Sequence, residues 1–286
     1  MWRRCVHTTR VLLHENPLAP PTIPRRSAGL PRKRSITNVN KVLAVASGKG
    51  GVGKSQTGCA ANLACALSRQ KLNVGVLDLD VYGPSQPTLL GLRDAPEPAL
   101  TPQGALIPLA NHGLTCMSMG FLVPGTAPVV WRGLMVQKAV QQLLFDVAWP
   151  QLDVLVIDLP PGTGDVALSL GQLVTVDGAV VVSTPQDVAL LDVQKGVSAF
   201  RKLSIPIFGL ILNMAHFTCP TCATPHRIFG PPHLPADVEL LAELPVLARV
   251  SEDGDAGVPP ALTDGAVQAV MDPLARGVWQ RLVSTQ

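Results

Sequence analysis

VLAVASGKGGVGKS, residues 42–55, joins an apolar run directly to a glycine-rich loop. Val42–Ala46 reads as a strand buried on both faces. Gly48, Lys49, Gly50, Gly51, Val52, Gly53, Lys54 and Ser55 satisfy G-x-x-x-x-G-K-[ST]. Small-residue helical sequence follows at once, so the motif stands between a strand and a helix, as its chemistry requires. Glycines let successive backbone N–H groups turn inward around phosphate oxygens, and the following helix adds its positive end. Lys54 is expected to reach the β and γ phosphates of a nucleoside triphosphate, with Gln56 next to the phosphate cradle. The Ser55 hydroxyl is expected to ligate Mg²⁺.

Two acidic motifs lie downstream. VLDLD (76–80) places Asp78 and Asp80 at the carboxyl end of an apolar strand. VLVIDLPPGTGD (154–165) places Asp158 likewise, followed by a loop made pliable by Gly162 and Gly164. Carboxylates at strand ends beside a phosphate loop suit an Mg²⁺ site, and Asp78 and Asp158 are its expected ligands with Ser55.

The rest of the chain repeats the alternation. Strands are expected at 74–79, 105–109, 114–117, 154–157, 179–182 and 207–212. Helices are expected from Lys54 to Arg69, over 133–147 with Leu134, Ala139, Leu143 and Leu144 near one stripe, and over 187–203 and 264–283. Continuous apolar runs bounded by Gly, Pro, Asp or Asn suit parallel strands covered on both sides. The expected fold is α/β, a doubly wound and mostly parallel sheet.

The chain has 286 residues, 47% hydrophobic, and no apolar stretch of membrane-spanning length. The net charge of +3 is unevenly spread. Residues 1–34 carry eight basic residues against Glu15, net +7, while the remainder carries 15 basic and 19 acidic residues, net −4. An acidic body with 4% aromatics argues against nucleic-acid binding. The Arg-rich, acid-poor leader has Trp2, Val6, Thr9 and Leu13 at helical spacing, which is the pattern of a mitochondrial presequence. The expected organisation is therefore a leader, 1–34, and one domain, 35–286, located in the mitochondrial matrix with at most peripheral membrane association.

Of six cysteines, Cys59 and Cys65 sit in the small-residue run GCAANLACAL and read as buried hydrophobes. Only Cys219 and Cys222 form a spaced pair, in FTCPTC. One C-x-x-C supplies two soft ligands, whereas Zn²⁺ or a [4Fe–4S] cluster takes four. A redox disulfide, a Cys₂His₂ site with the flanking His216 and His226, and a site shared between two chains are all open on the residues alone.

SGKGGVGKS resembles the deviant Walker A loop of the dimeric ATPases that include septum-site, partitioning and nitrogenase iron proteins, the SIMIBI class of P-loop NTPases. The resemblance implies that Lys49 crosses a homodimer interface to the partner's nucleotide. It implies that Asp80 positions or deprotonates the attacking water, that Asp158 and Asp165 lie in a second switch segment, and that Asn213 reads adenine. Lys49, Lys54 and Asp80 are then the catalytic set. In such a homodimer two C-x-x-C pairs can meet at the two-fold axis and hold one bridging [4Fe–4S] cluster.

More of the chain resembles a narrower family. NKVLAVASGKGGVGKS, DLDVYGPSQPTLLGL, CMSMGFL, VVWRGLM, DVLVIDLPPGTGDVALSLGQ, STPQDVALLD and NMAHFTCPTC, over about residues 35–230, are similar to the Mrp/NUBPL-type iron–sulfur carrier ATPases. With the Arg-rich leader, the pattern most resembles the mitochondrial branch serving respiratory complex I. That resemblance implies ATP binding, slow hydrolysis coupled to cluster transfer, a labile bridging cluster and apo iron–sulfur proteins as partners. Gln56 departs from the family's usual Thr. A positioning ATPase of the septum-site type and a zinc-bridged nucleotide-binding scaffold are the rival expectations.

Overall fold

A computed structural model describes residues 33–54, 58–122 and 133–285. In chain order the strands are β1 (Val39–Ser47), β2 (Val74–Asp78), β3 (Leu109–Asn111), β4 (Leu114–Ser118), β5 (Leu152–Asp158), β6 (Gly178–Ser183), β7 (Ile207–Leu212), β8 (Phe217–Thr218), β9 (Pro225–His226) and β10 (Leu240–Glu243). The helices are α1 (Cys59–Ser68), α2 (Gln86–Leu89), α3 (Gly133–Phe145), α4 (Asp165–Leu173), α5 (Asp187–Lys202), α6 (Ala248–Asp255), α7 (Pro260–Thr263) and α8 (Gly265–Ser284).

Eight strands form one sheet in the order β10-β7-β6-β1-β5-β2-β4-β3, parallel except for the β3–β4 pair. Residues of β2 and β6 are buried throughout, as expected of strands covered on both faces. The chain leaves β1 toward β2 in one direction along the sheet. It returns through β5, β6 and β7 in the other. Right-handed crossovers then put α1 on one face and α3, α4 and α5 on the opposite one. The winding diverges on either side of β1, so the loop after β1 opens at the switch point where such sheets bind ligands.

Helix α1 is buried from Cys59 to Leu67 because its outer side is covered in turn by α7 and α8. A run of small residues lets those layers approach closely, which explains why its sequence shows no polar face. Its buried Asn62 accepts a hydrogen bond from the Ala261 backbone, 2.8 Å, tying α1 to α7.

Several expected elements shift. The strand expected at 105–109 is replaced by β3, beginning at Leu109, because Pro108 has no N–H to give a ladder. Leu106 instead makes isolated bridges to Leu100 and Val147. In α3 the buried stripe is Val136, Val140, Leu143 and Leu144, spaced i, i+4, i+7, i+8, while Leu134 is 77% exposed and Ala139 half-buried. The first helix is described only from Cys59, with Gly58 in left-handed backbone (φ 56°) before it. Lys33 and Arg34, read above as leader, are built into the body. Lys33 Nζ donates to the Leu203 carbonyl, and the Arg34 guanidinium lies 4.0 Å from the Phe145 ring centre.

Candidate nucleotide site and cysteine hairpin

The loop after β1 encloses a cavity of about 210 Å³ lined by Ser47, Lys49, Gly50, Gly51, Val52, Gly53, Lys54, Asp80 and Pro161. Gly51 and Gly53 have φ of +80° and +78°, conformations that only glycine adopts without strain. Gly48 is required for another reason. A Cβ there would lie 2.6 Å from the Asp192 carbonyl carbon and 2.7 Å from the Val193 nitrogen, inside the backbone of α5. The loop is thus seated on α5, and the Gly162 N–H, bonded to the Ser47 carbonyl at 2.8 Å, brings the β5–α4 loop to the same place.

Lys54 is 4% exposed and pairs with Asp158 Oδ1. Asp158, fully buried at the end of β5, accepts a second bond at Oδ2 from Gln86 Nε2, 2.8 Å. Asp78 stands beside it, since Asp78 and Asp158 are register partners of β2 and β5. Both Asp78 oxygens are engaged: Oδ1 by the Asp80 N–H, and Oδ2 by the N–H groups of Ser85 and Gln86 and by the Ser118 hydroxyl, at 2.9–3.1 Å. Burial and the neighbouring Asp158 push the Asp78 carboxyl up to about 7, against the pull of the Asp80 and Gln86 backbone N–H groups and Lys54. Asp80, rather than Asp78, faces the cavity, with Oδ1 accepting from the N–H groups of Tyr82 and Gly83 at 3.3 and 3.2 Å. Asp78 therefore organises the segment carrying Asp80.

Lys49 is exposed at the cavity mouth and makes no hydrogen bond or ion pair with a described residue. Asp165 opens α4 on the surface, outside the cavity lining. Asn213 is fully buried at the end of β7, and its Nδ2 donates to the Val52 carbonyl at 2.9 Å. Asn213 is thereby joined to the phosphate loop. The Asn213 Oδ1 and Ser47 Oγ atoms are both buried and have no partner among the described residues. Ser55 and Gln56 lie outside the described residues. The sequence reading missed Gln86, Ser47 and Ser118, which become recognisable only when three strands are laid side by side.

The donor set fits a nucleotide with Mg²⁺. A glycine-rich loop and a lysine lining one cavity suit phosphate, and the buried Ser47 Oγ in the same lining has no partner among the described residues. Asp158, paired with Lys54, and Asp80 in the cavity lining give oxygen ligands that suit a hard cation.

The cysteine pair lies on a small hairpin, β8–β9, whose residues 220–229 are all exposed. Cys219 N–H donates to the Thr224 carbonyl at 3.0 Å, and Ala223 N–H to the Cys219 carbonyl at 2.9 Å. Arg227 clamps the hairpin to β10 through both oxygens of Glu243, at 3.1 and 3.0 Å. Cys219 is half-buried and Cys222 exposed, both as free thiols. Hydrogen bonding with Thr224 and Cys219 holds the Cys222 thiol below its ordinary value. Burial does the opposite elsewhere, pushing Cys65 up to about 12 and Cys116 well above the usual thiol range. Among the described residues no cluster of three or more His, Cys, Asp and Glu side chains assembles, so His216 and His226 do not complete a site with the thiols. Phe217, Ile228 and Phe229 are 38%, 60% and 39% exposed around the pair.

Residues 38–279 match the family described as "ParA: NUBPL iron-transfer P-loop NTPase". The chain belongs to that family. It is 50% identical over 238 residues to the mouse (Mus musculus) "Iron-sulfur cluster transfer protein NUBPL", covering 82% of this chain and 74% of that protein. It is 46% identical over 230 residues to an Arabidopsis thaliana "Iron-sulfur protein required for NADH dehydrogenase, mitochondrial", covering 78% and 72%. Among solved structures, a nucleotide-binding protein from Archaeoglobus fulgidus in complex with ADP superposes with a TM-score of 0.69 at 33% identity, covering 80% of this chain and 91% of that one. The septum site-determining protein MinD of Pyrococcus horikoshii, with Mg-ADP, superposes at 0.59 and 20% identity, covering 83% and 95%. That second likeness concerns the fold alone. Membership of the NUBPL family and the mostly parallel P-loop fold both agree with the expectations from the motifs.

Proposed function

We propose that this chain is an ATP-dependent iron–sulfur cluster carrier of the mitochondrial matrix. It works as a homodimer, assembles one [4Fe–4S] cluster between the Cys219 and Cys222 thiolates of two copies, and passes it to apo-proteins, among them subunits of respiratory complex I. One observation carries the reading: a cavity lined by the phosphate loop and a pair of free thiols, one half-buried and one exposed, share one chain, and the described residues provide those thiols with no third ligand. The relatives named above support the cargo and the compartment.

The cavity's residues act in a defined order. Entry of the triphosphate draws Lys54 from Asp158 to the phosphates, while the amides of 48–53 enclose them. Asn213, bonded to the Val52 carbonyl of the phosphate loop, lies next to the base. Mg²⁺, held by Ser55 and Asp158 with Asp78 behind, would neutralise phosphate charge. Asp80 orients the attacking water, and Lys49 of the partner copy adds a cation as charge develops.

A positioning ATPase would want a basic surface patch or a C-terminal amphipathic helix. Here α8 buries Val267, Met271, Leu274, Val278 and Leu282 in the body, and no helix of the described residues is long and apolar enough to cross a membrane. Anaerobic reconstitution with iron, sulfide and zinc assays tests the reading. About two irons and two sulfides per chain are expected, half of one four-iron cluster, on a dimer. Stoichiometric zinc without sulfide would establish the zinc-bridged scaffold instead.

Residues 1–31 are proposed to address the chain to the matrix, drawn inward by the membrane potential at about 2.3 kcal/mol per charge per 100 mV. A chain starting at Arg32 spares the Lys33 and Arg34 contacts and is expected to remain cytosolic. Its arrival in the matrix would refute the assignment.

A further inference from the structure

Gln86 carries an arrangement that none of the motifs requires. It is the first residue of α2, fully buried, six residues after Asp80 in the same segment. Its backbone N–H donates to Asp78 Oδ2 at 3.1 Å, and its side-chain Nε2 donates to Asp158 Oδ2 at 2.8 Å. Its Oε1 has no partner among the described residues. The one side-chain bond it makes is to a buried, charged acceptor, the stronger kind of hydrogen bond. Gln86 spans the two strand-end carboxylates and links them to the segment that holds Asp80.

The consequence follows from the state of Asp158. In this structure its carboxylate is gripped from both sides, by Lys54 at Oδ1 and by Gln86 at Oδ2. Once Lys54 moves to a phosphate, the Gln86 amide is the remaining described side-chain donor to Asp158. A carboxylate freed at one oxygen and still held at the other keeps its rotamer, with Oδ1 directed to the place Lys54 left. We propose that Gln86 is a positioning residue of the nucleotide site: it fixes Asp158 for Mg²⁺ and couples that metal position to the Asp80 segment. The inference rests on the ATPase reading above.

Groups that hold a metal-ligating carboxylate in place typically matter about 10–100-fold in metal affinity. Gln86→Met keeps the length and removes the amide, and Gln86→Leu removes it with a different shape. ADP binding to the full chain is titrated calorimetrically in EDTA and again across a range of Mg²⁺ concentrations. In both variants the Mg²⁺ concentration for half-maximal tightening of ADP is expected to rise at least about tenfold. The affinity for ADP in EDTA is expected to stay within about twofold, since Gln86 does not line the phosphate cavity. The thermal midpoint of the ligand-free chain is followed in parallel, because a merely structural role would lower it and weaken ADP equally with and without metal. An unchanged Mg²⁺ requirement in either folded variant, or equal weakening in EDTA and Mg²⁺, overturns the role of Gln86 and leaves the ATPase reading standing. Absence of ADP binding by the unsubstituted chain overturns both. If neither variant folds, the residue is structural and the proposal fails.

Discussion

Replacing Cys219 or Cys222 by serine is expected to reduce iron binding from about two irons per chain to background, because each chain contributes two of the four thiolates a [4Fe–4S] cluster takes. Cys59→Ser, Cys65→Ser and Cys116→Ser are expected to leave the iron content unchanged wherever the variant folds. The structure gives the reason for the contrast. Cys219 and Cys222 are accessible on an exposed hairpin, and Cys222 is eased toward thiolate by its hydrogen bonds. Cys59, Cys65 and Cys116 are fully buried, and burial raises Cys65 and Cys116 far above neutral pH. Iron and acid-labile sulfide assays after anaerobic reconstitution, with light scattering for mass, provide the measurement. Four irons per chain that survive loss of Cys219 would refute a cluster shared between two copies.

The two loop lysines are expected to fail differently. Lys54→Ala removes the partner of a buried carboxylate and leaves Asp158 beside Asp78 with only the Gln86 amide among its described side-chain donors. Breaking a buried pair from one side costs about 3–5 kcal/mol, so the ligand-free chain should melt measurably lower. In its proposed role Lys54 also gives a charged hydrogen bond to phosphate, whose loss is worth roughly 1.5–3 kcal/mol, or about ten- to a hundredfold in ADP affinity. The double variant Lys54→Ala with Asp158→Asn should recover much of the melting temperature without recovering nucleotide binding. Lys49 pairs with no described residue, so Lys49→Ala should change neither stability nor ADP affinity. Hydrolysis should nonetheless fall on the order of a thousandfold, as when a cation supplied in trans is lost. Cluster loading should survive in that variant, and transfer to an apo-acceptor should fail. Equal loss of ADP affinity in both variants would remove the case for Lys49 acting across a dimer.

Much of the sheet was legible because buried parallel strands leave an unmistakable trace. VLAVAS, VLVID, AVVV and IFGLIL are apolar runs closed by polar or glycine residues, and each is a strand of the sheet. Expectation failed where a long-range partner outweighs local pattern. Nothing local distinguishes Leu134 from Val136, and the choice was made by what α3 packs against. Helix α4, the hairpin β8–β9 and the four-residue β10 were not anticipated, since short elements carry too few residues for a period to emerge.

By itself the sequence determined the chemistry on offer: a glycine loop between strand and helix, two strand-end acid motifs and one thiol pair. These are properties of contiguous residues, whose spacing along the chain dictates backbone geometry directly. Only the tertiary structure decided how the groups share the work. Laying β2 beside β5 placed Asp78 against Asp158 and sent Asp78 inward to organise a loop while Asp80 took the cavity. The same step brought Gln86 to Asp158 and Lys54 to its other oxygen, across 72 and 104 residues of chain. Such pairings depend on strand order and register, which are set by the burial of the whole sheet and which no local pattern encodes.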